Sequence, residues 1–354
     1  MNRNATIKTC AAAMGLVLLA GCSGDGGNEE ATGGAARTPV PATGAAAEVQ
    51  QQFEKVVDAV LPSVVKVETG QGEGSGVVFD GQGHVVTNAH VVAGAEQIRV
   101  VAASGGTPRE ARLVGAFVPD DLAVLKVDGA TLKPAQWGDS SKAEVGQMVL
   151  AMGNPLGLAG SVTNGIVSAL HRTVSTQGAG DFAGSTIADA IQTSAPINPG
   201  NSGGALVTLT GKVIGVPTAA ATGSGGGAAP GIGFATPSST VKRIVPQLIK
   251  SGKVSDSGRA ALGVVVRTLV DPETGRPSAV AVVEVLPNTG AAGAGIEAGD
   301  LILSVNGTAT PTQTALTTVL AGAKPGQTAT VEIKKPDGSK RQVKVKLGEL
   351  PLND

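Results

Sequence analysis

The sequence predicts a mainly β protein, with a barrel or sandwich of short strands followed by a small α+β domain. From Phe53 onward, short valine-rich runs alternate with glycine-containing turns, which is typical of antiparallel strands. The chain has 52 glycines but only five Phe, one Trp and no Tyr, so aliphatic side chains that suit strands must form the core. Near Ala260 the pattern changes to strands interleaved with two short helical segments, which predicts a second domain.

A helix predicted over 236–252 separates the two units. Its apolar residues recur at helical spacing, and Gly252 suits its C-terminal end. The second unit follows as strand, strand, short helix, strand, helix and two strands, with an Asp-Gly turn between the last two. We therefore expect domains at 53–252 and 253–354.

The first 21 residues have the pattern of an export signal. Arg3 and Lys8 precede an apolar run over 10–20, which is too short to cross a bilayer as a helix. The run ends in LAGC, which resembles a bacterial lipobox and implies a lipid on Cys22; a simple signal peptide with an incidental cysteine is the alternative. Residues 22–52 are poor in bulky apolar side chains and are expected to form a flexible tether. The expected location is the extracytoplasmic side of the cell envelope.

Charge and motif content exclude several functions. The 27 Lys and Arg residues balance 28 Asp and Glu residues without a basic stripe, so no nucleic-acid partner is expected. The three histidines are dispersed and the sequence has no H-E-x-x-H motif, so no metal is expected. The glycine-rich GNPLGLAG segment lacks the Lys-Ser/Thr ending of a phosphate-binding loop, and no cofactor is predicted.

The segment INPGNSGGAL, residues 197–206, places Ser202 among glycines. Glycine occurs where backbone dihedrals are unusual or another group comes close, although a plain surface turn is the alternative for such a segment. A nucleophilic serine needs an imidazole base, a carboxylate that orients it, and N–H donors for an oxyanion. His90 lies where an apolar strand ends, whereas His84 neighbours a turn and His171 lies in a polar stretch.

Asp121 is the better candidate for the orienting carboxylate. It opens the apolar run DLAVLKV, so alternation places it on an inward face, where a carboxylate needs a partner. Asp120 is expected to remain in the preceding turn as a solvated charge. His90, Asp121 and Ser202 also follow one another in the order found in chymotrypsin-type proteases.

Five motifs resemble those of the HtrA (DegP/DegS-type) serine proteases: TNAHVV, DLAVLKV, GNPLGLAGSVTNGIVSAL, IQTSAPINPGNSGGALV and GIGFATP. The resemblance implies a chymotrypsin-like double β-barrel with the cleft between the barrels. It implies His90 as general base, Asp121 as orienting carboxylate and Ser202 as nucleophile. It also implies an oxyanion hole at Gly200, Asn201 and Ser202, with the N–H groups of Gly200 and Ser202 as donors.

The second unit resembles a PDZ domain. ALGVVV is similar to the carboxylate-binding strand of that family, and GIEAGDLILSVNG is similar to its core signature. The resemblance implies that C-terminal peptides bind by strand addition. The predicted groove residues are Leu262, Gly263, Val264, Leu316 and Val319, and at least one apolar residue of the second helix is expected to belong to the core instead.

The substrate pocket is predicted to be apolar. Trypsin-like cleavage after Lys or Arg uses a carboxylate six positions before the serine, and here that position is Pro196. With Ile197 on one wall and Ile232 and Phe234 on the other, we expect small aliphatic side chains such as Val or Ala at the cleaved bond.

The predicted function is a serine endopeptidase of the cell envelope that cleaves misfolded or exposed protein segments. A proteolytically silent chaperone or peptide-binding module is the alternative, and both would bind unfolded or C-terminal peptides. Relatives commonly form homotrimers through N-terminal aromatic contacts, for which this chain offers Phe53.

Overall fold

The structure, a computed structural model, describes residues 44–129, 131–154, 160–176, 182, 184–198, 200–222 and 228–350. The export signal and Cys22 lie outside these residues. Helix α1 spans Ala45–Val60 and buries Val56 and Val60 against the barrels. The prediction of a flexible tether over 22–52 is therefore wrong for residues 45–52, because the apolar stripe further along α1 gives the whole helix a surface to pack on.

The first barrel is closed by six antiparallel strands in the order β1-β2-β3-β6-β5-β4. These strands are β1 (Val64–Thr69), β2 (Glu73–Val78), β3 (His84–Thr87), β4 (Ile98–Val101), β5 (Arg109–Phe117) and β6 (Leu122–Val127). A 3-10 turn at Leu61–Ser63 leads into β1, and helix α2 (Ala89–Val92) follows β3. A second 3-10 turn, Val118–Asp120, connects β5 to β6.

The second barrel is also closed by six antiparallel strands, in the order β10-β11-β12-β9-β8-β7. They are β7 (Met148–Gly153), β8 (Ser161–Ser175), β9 (Thr186–Thr193), β10 (Ala205–Thr208), β11 (Val213–Thr222) and β12 (Ala228–Pro237). A 3-10 turn at Ser140–Lys142 precedes β7. Two barrels of equal strand number therefore form the first unit.

Helix α3 spans Ser238–Ser251 and packs on both barrels. Its inner face is fully buried against Leu122 of the first barrel and Val216 of the second. The predicted helix is confirmed, although it begins after Pro237, whose extended backbone makes it the cap, and it ends at Gly252 with φ 71°.

The second unit is an α+β domain built on a six-stranded antiparallel sheet. Its elements are β13 (Ala260–Ala261), β14 (Val264–Val270), β15 (Pro277–Val285), α4 (Gly290–Gly293), β16 (Leu301–Val305), β17 (Thr308–Ala309), α5 (Gln313–Ala321), β18 (Thr328–Lys334), β19 (Lys340–Lys346) and β20 (Gly348–Glu349). The short strands β13 and β20 pair separately from the main sheet. Aliphatic residues of the sheet and helices form one core, as the composition predicts.

The predicted fold class, a double barrel followed by an α+β domain, is confirmed. Across the described residues, the helices fall short of the length and apolarity needed to span a bilayer. The same residues contain no group of three or more His, Cys, Asp or Glu side chains that could hold a metal ion.

Candidate active site

His90 and Asp121 are brought together by the pairing of β3 with β6, in which Thr87 lies opposite Ala123. His90 follows β3 on helix α2, and Asp121 immediately precedes β6. The Nδ1 atom of His90 lies 2.7 Å from Oδ2 of Asp121, and the backbone N–H of His90 donates to Oδ1 at 3.0 Å. Both carboxylate oxygens therefore contact the same residue, which fixes the imidazole and leaves its Nε2 for a reaction partner.

The backbone of Asp121 is left-handed, with φ 53° and ψ 45°. Its N–H donates to the carbonyl of Val118 at 3.0 Å and ends the 3-10 turn there, so β6 begins one residue later, at Leu122. The prediction that Asp121 is the first residue of the strand is wrong. Its side chain is nevertheless completely buried, because the turn rather than the strand aims it inward.

Two further side chains that the sequence analysis missed bind Asp121. Thr218 Oγ1 donates to its carboxylate, and Asn88 Nδ2 donates to its carbonyl at 2.9 Å. Thr218 lies on β11, so both barrels hold the acid. The only sequence signals were a threonine within an apolar strand and an asparagine two residues before the histidine.

Each of the three histidines contacts an aspartate, so pairing alone does not single out His90. His84 Nδ1 lies 2.7 Å from Asp80 Oδ2, the same distance as in the His90–Asp121 pair, and the third histidine pairs across the β8–β9 hairpin. Burial distinguishes them. The Asp121 side chain is 0% exposed and the Asp80 side chain 29%, while the His90 imidazole keeps 31% of its surface accessible.

An aromatic ring covers one edge of the imidazole. The ring centroids of Phe182 and His90 lie 5.8 Å apart with their planes at 63°, and Phe182 is buried. An apolar ring beside a hydrogen-bonded pair lowers the local dielectric and strengthens the bond. Phe182 lies between β8 and β9, where no periodic pattern in the sequence pointed to it.

Ser202 lies in the turn between β9 and β10, at the junction with the first barrel. The N–H of Ser75 donates to the Ser202 carbonyl at 2.8 Å. A Cβ added to Gly74 would lie 2.8 Å from Cγ1 of Val91 and 3.3 Å from the Ser202 carbonyl oxygen, so only a glycine separates the serine from the residue after His90. Among the described residues, the Ser202 hydroxyl makes no hydrogen bond to the imidazole. The structure thus brings the backbone of Ser202 close to helix α2, which carries His90.

The turn before Ser202 presents two backbone donors. Gly200 has φ 99°, and within the described residues the N–H groups of Gly200 and Ser202 donate to no acceptor. The N–H of Asn201 donates to the carbonyl of Asn198 at 3.0 Å, and its Nδ2 lies 3.4 Å from the Pro196 carbonyl. Asn201 lies within this turn and its own N–H closes it, so Gly200 and Ser202 stay the predicted oxyanion donors.

The predicted pocket residues do not share one surface. Ile197 is buried, and a Cβ added to Gly233 would lie 2.4 Å from its Cγ1. Since successive residues of a strand point to opposite faces, Ile232 and Phe234 lie on the face of β12 away from Ile197, and Ile232 is 38% exposed. The prediction that they form the opposite wall is wrong, and Gly233 takes that place.

A cavity of about 590 Å³ is lined on one side by β14 and α5 and on the other by residues of the two barrels, among them Pro119 and Thr186. Four predicted groove residues line it: Leu262, Gly263, Val264 and Leu316. Val319 does not; it packs against the domain core, and Leu320 lines the cavity instead. Of the described residues, none accepts a hydrogen bond from the N–H of Leu262 or Gly263, which suits these donors to a carboxylate.

Asp120 is not the solvated charge that the sequence suggested. It is buried and pairs with Arg259, whose Nη1 lies 2.8 Å from its Oδ1. Burial raises the pKa of the Asp120 carboxyl, and the guanidinium opposes that rise. The expectation failed because the 3-10 turn points inward, toward the segment that follows α3.

Two closed barrels that meet at a His–Asp pair and a glycine-bounded serine define the class of trypsin-like serine peptidases. Residues 74–216 match the trypsin-like peptidase domain family, and residues 260–347 match the PDZ domain family.

Curated relatives are named as serine proteases or endoproteases. The chain is 40% identical over 336 residues to the serine protease PepD of Mycobacterium tuberculosis, covering 90% of this chain and 70% of the relative. It is 40% identical to the serine protease Do-like HtrA of Lactobacillus helveticus, over 80% of this chain and 70% of the relative. It is 39% identical to a probable periplasmic serine endoprotease DegP-like of Pseudomonas putida, of which it spans 57%.

Solved structures agree with this assignment. The HtrA-type protease AlgW with a decapeptide is 32% identical with a TM-score of 0.56, and the match covers 84% of this chain and 99% of AlgW. A serine endoprotease from Yersinia pestis is 31% identical with a TM-score of 0.55, covering 88% of this chain and 100% of that one. The chain belongs to the HtrA family of serine proteases and is a serine-type endopeptidase with a PDZ domain.

Proposed function

We propose that Ser202 is the nucleophile, His90 the general base and Asp121 its orienting carboxylate in an exported endopeptidase. The observation that carries the proposal is the buried Asp121 carboxylate, which contacts both the backbone N–H and Nδ1 of His90. A carboxylate on Nδ1 keeps that nitrogen protonated, so the lone pair lies on Nε2, where it can take a proton from a hydroxyl.

In the proposed reaction, Ser202 Oγ attacks the scissile carbonyl carbon while its proton moves to Nε2 of His90. The developing oxyanion accepts hydrogen bonds from the N–H groups of Gly200 and Ser202. Collapse of the intermediate breaks the C–N bond, and His90 returns the proton to the leaving amine; water then releases the acyl group by the same route. Rotation of the serine side chain on substrate binding completes the contact with the imidazole.

The proposed pocket takes small aliphatic side chains. Ile197 packs closely on Gly233, and Pro196 supplies no charge at the position that a trypsin-like pocket would use. The test uses quenched peptides that differ only at the cleaved residue: Val and Ala peptides are cleaved, and the variant Ile197→Ala extends cleavage to larger apolar residues. Efficient cleavage after Lys would contradict the proposal.

The proposed substrates are misfolded or exposed protein segments, and C-terminal peptides bind in the cavity between β14 and α5. The N–H groups of Leu262 and Gly263 suit a terminal carboxylate, and apolar residues of β14 and α5 suit an apolar final side chain. The solved complex of AlgW with a decapeptide supports peptide binding in this family.

The proposed location is the extracytoplasmic side of the cell envelope, with a lipid on Cys22. The signal pattern before Cys22 and the periplasmic DegP-like relative support it. The variant Cys22→Ser is expected to move the protein from the membrane fraction to the soluble fraction. We keep 53–252 and 253–354 as the proposed domain extents, and homotrimer formation through Phe53 is testable by analytical ultracentrifugation.

Casein turnover tests the catalytic proposal. The wild-type protein degrades casein, and Ser202→Ala lowers the rate by several orders of magnitude. A fluorophosphonate probe that labels activated serines is expected to modify the wild type and not the variant. Equal casein binding by both proteins without turnover by either would favour the chaperone alternative.

A further inference from the structure

A buried ion pair connects the start of the PDZ domain to the turn that carries Asp121. Arg259 lies just before the residues that match the PDZ family, and its guanidinium is 2.8 Å from the Asp120 carboxylate. The side chains of Asp120 and Arg259 are only 3% and 8% exposed. Buried ion pairs contribute little to stability compared with apolar packing of similar volume, so this pair needs another reason to be there.

The residue next to Asp120 has a backbone that its surroundings must hold in place. Asp121 is left-handed, a conformation that disfavours residues with a Cβ and persists only where neighbouring contacts enforce it. Its carboxylate direction, and therefore its contact with His90, follows from that backbone. The contacts that hold the turn thus determine the geometry of the base.

Arg259 holds this turn at two points. Its Nη1 donates to the Pro119 carbonyl at 2.8 Å and to Oδ1 of Asp120 at 2.8 Å. On the other side of the turn, Thr236 Oγ1 donates to the Asp120 carbonyl at 3.1 Å. The turn is therefore fixed from the second barrel and from the PDZ side.

Arg259 is itself held firmly. Its N–H donates to Ser257 Oγ at 3.1 Å, and its carbonyl accepts from the N–H of Leu350 at 2.7 Å, next to the β13–β20 pairing. A guanidinium on such a backbone presents its donors in a fixed plane, which a more flexible cation does not. The PDZ domain thereby contributes one rigid contact to the catalytic turn.

We propose that Arg259 is a positioning residue for catalysis, which keeps the Val118–Asp120 turn in the form that directs the Asp121 carboxylate to His90. The proposal rests on the proposed roles of His90, Asp121 and Ser202. In this proposal Arg259 does more than neutralise the charge of Asp120, because its hydrogen bond to the Pro119 carbonyl also holds the turn.

Three full-length variants test the proposal: Arg259→Met, Arg259→Lys, and Asp120→Asn combined with Arg259→Met. The readouts are kcat and KM on a quenched Val-containing peptide, the rate of fluorophosphonate labelling, and the melting temperature. Arg259→Met is expected to lower kcat and the labelling rate about 10- to 100-fold with KM within about twofold. Arg259→Lys gives an intermediate loss, because an ammonium group satisfies the two acceptors less rigidly.

The double variant separates positioning from charge compensation. It leaves no unpaired buried charge, so it recovers melting temperature, but kcat stays low because Pro119 and residue 120 have lost their donor. Lys335→Met is the matched control: it removes the cation 3.1 Å from the buried Asp300 carboxylate in the PDZ domain and leaves kcat unchanged.

The proposal is overturned if Arg259→Met keeps the wild-type kcat, if only KM changes, or if the double variant regains the wild-type kcat. Wild-type labelling that is lost in Ser202→Ala establishes the proposed nucleophile independently. A failure of the Arg259 prediction is thereby distinguished from a failure of the proposed function.

Discussion

The two halves of the active site are held by different means. The His90–Asp121 half is fixed by side chains from several elements, among them Thr218 and Asn88. The Ser202 half is fixed mainly through its backbone: the N–H of Ser75 donates to the serine carbonyl, and the N–H of Gly203 donates to the Pro217 carbonyl at 2.9 Å. One buried side chain adds to this, because Ser75 Oγ donates to the Gly200 carbonyl. Removing one side chain from the network breaks only the hydrogen bonds of that side chain. Adding a Cβ to a glycine that packs closely against another backbone displaces the whole turn. Substitutions in the two halves should therefore differ in kind.

The largest effect is expected for Gly203→Ala. Gly203 has φ 82°, and a Cβ there would lie 2.1 Å from the Ser75 carbonyl oxygen and 2.4 Å from Thr87 Oγ1. The turn must move away from the first barrel, which displaces Ser202 and its neighbouring N–H donors. We expect kcat/KM on casein-derived peptides to fall about 100- to 1,000-fold, as for loss of an oxyanion contact.

Gly211→Ala is the matched control for Gly203→Ala. Gly211 has a similar φ of 75°, but the nearest atom to an added Cβ is 3.8 Å away, on Val60. It bears the same left-handed strain of about 1–2 kcal/mol without a clash. If both variants lose activity alike, backbone strain rather than close approach explains the loss, and the comparison of the two halves fails.

On the acid–base side, Thr218→Val should cause a graded loss. Valine keeps the shape of threonine but removes the donor to the buried Asp121 carboxylate. A hydrogen bond to a charged group contributes about 1.5–3 kcal/mol, so kcat should fall about 10- to 100-fold while the protein remains folded. Steady-state assays of kcat and KM measure the loss of activity, and thermal unfolding measures any loss of stability separately.

Thr218→Ser keeps the hydroxyl and serves as the control. Its kcat should stay within a few-fold of the wild type. The missing methyl group should lower the free energy of unfolding only slightly. Equal losses in the Val and Ser variants would mean that packing on β11, and not the hydrogen bond, supports Asp121.

The PDZ domain, like the serine turn, contains a left-handed glycine that packs too closely against its neighbours to accept a Cβ. Gly263 has φ 84°, and an added Cβ would lie 2.2 Å from Thr289 Cβ. Gly263→Ala should therefore distort the loop that presents the proposed carboxylate donors and weaken binding of a fluorescent C-terminal peptide by about tenfold, a change of about 1.4 kcal/mol.

Fluorophosphonate labelling of Ser202 should be unchanged in Gly263→Ala, because the substitution is remote from the serine turn. The control is Gly275→Ala, at φ 65° with no atom within 4 Å of the added Cβ. Peptide affinity that falls equally in both variants would contradict the assignment of the loop at Gly263.

The sequence predicted the elements of the fold well because strand alternation and helix periodicity are local. Helix α3 and the succession of the main strands and helices along the second unit follow directly from apolar spacing and turn residues. Helix α1 was not predicted at all, since residues 45–52 look like a tether until the stripe that includes Val56 and Val60 is given a surface.

The site was predicted only where a motif carried it. His90, Asp121 and Ser202 lie in recognisable segments, but their supports do not: Thr218 and Arg259 reach the Asp120–Asp121 turn from distant parts of the chain. The alternation rule misled once, when it placed Asp121 in a strand that begins one residue later. Ile232 and Phe234 were chosen as a pocket wall from their motif alone, and alternation along β12 shows that Gly233 is the residue that faces Ile197.

The smallest effect on kcat is expected at the His84–Asp80 pair. The variant Asp80→Asn tests whether a His–Asp pair with a partly exposed carboxylate contributes to activity. Burial alone would raise the pKa of Asp80, but the hydrogen bonds from His84 and Gln82 outweigh it and hold that pKa below its usual range. A carboxyl whose pKa is depressed on folding stabilises the protein above its unfolded value of about 3.9, and this contribution is lost as the pH falls through the folded value.

The free energy of unfolding of Asp80→Asn should accordingly lie slightly below that of the wild type at neutral pH, and the difference should shrink as the pH falls below about 4. Chemical unfolding across this pH range measures it, and kcat at neutral pH should not change. The Asp80 and Asp121 pairs share one Nδ1–Oδ2 distance but differ in exposure of the carboxylate. A kcat loss in Asp80→Asn as large as that in Thr218→Val would show that burial of the carboxylate does not distinguish a catalytic His–Asp pair from a structural one.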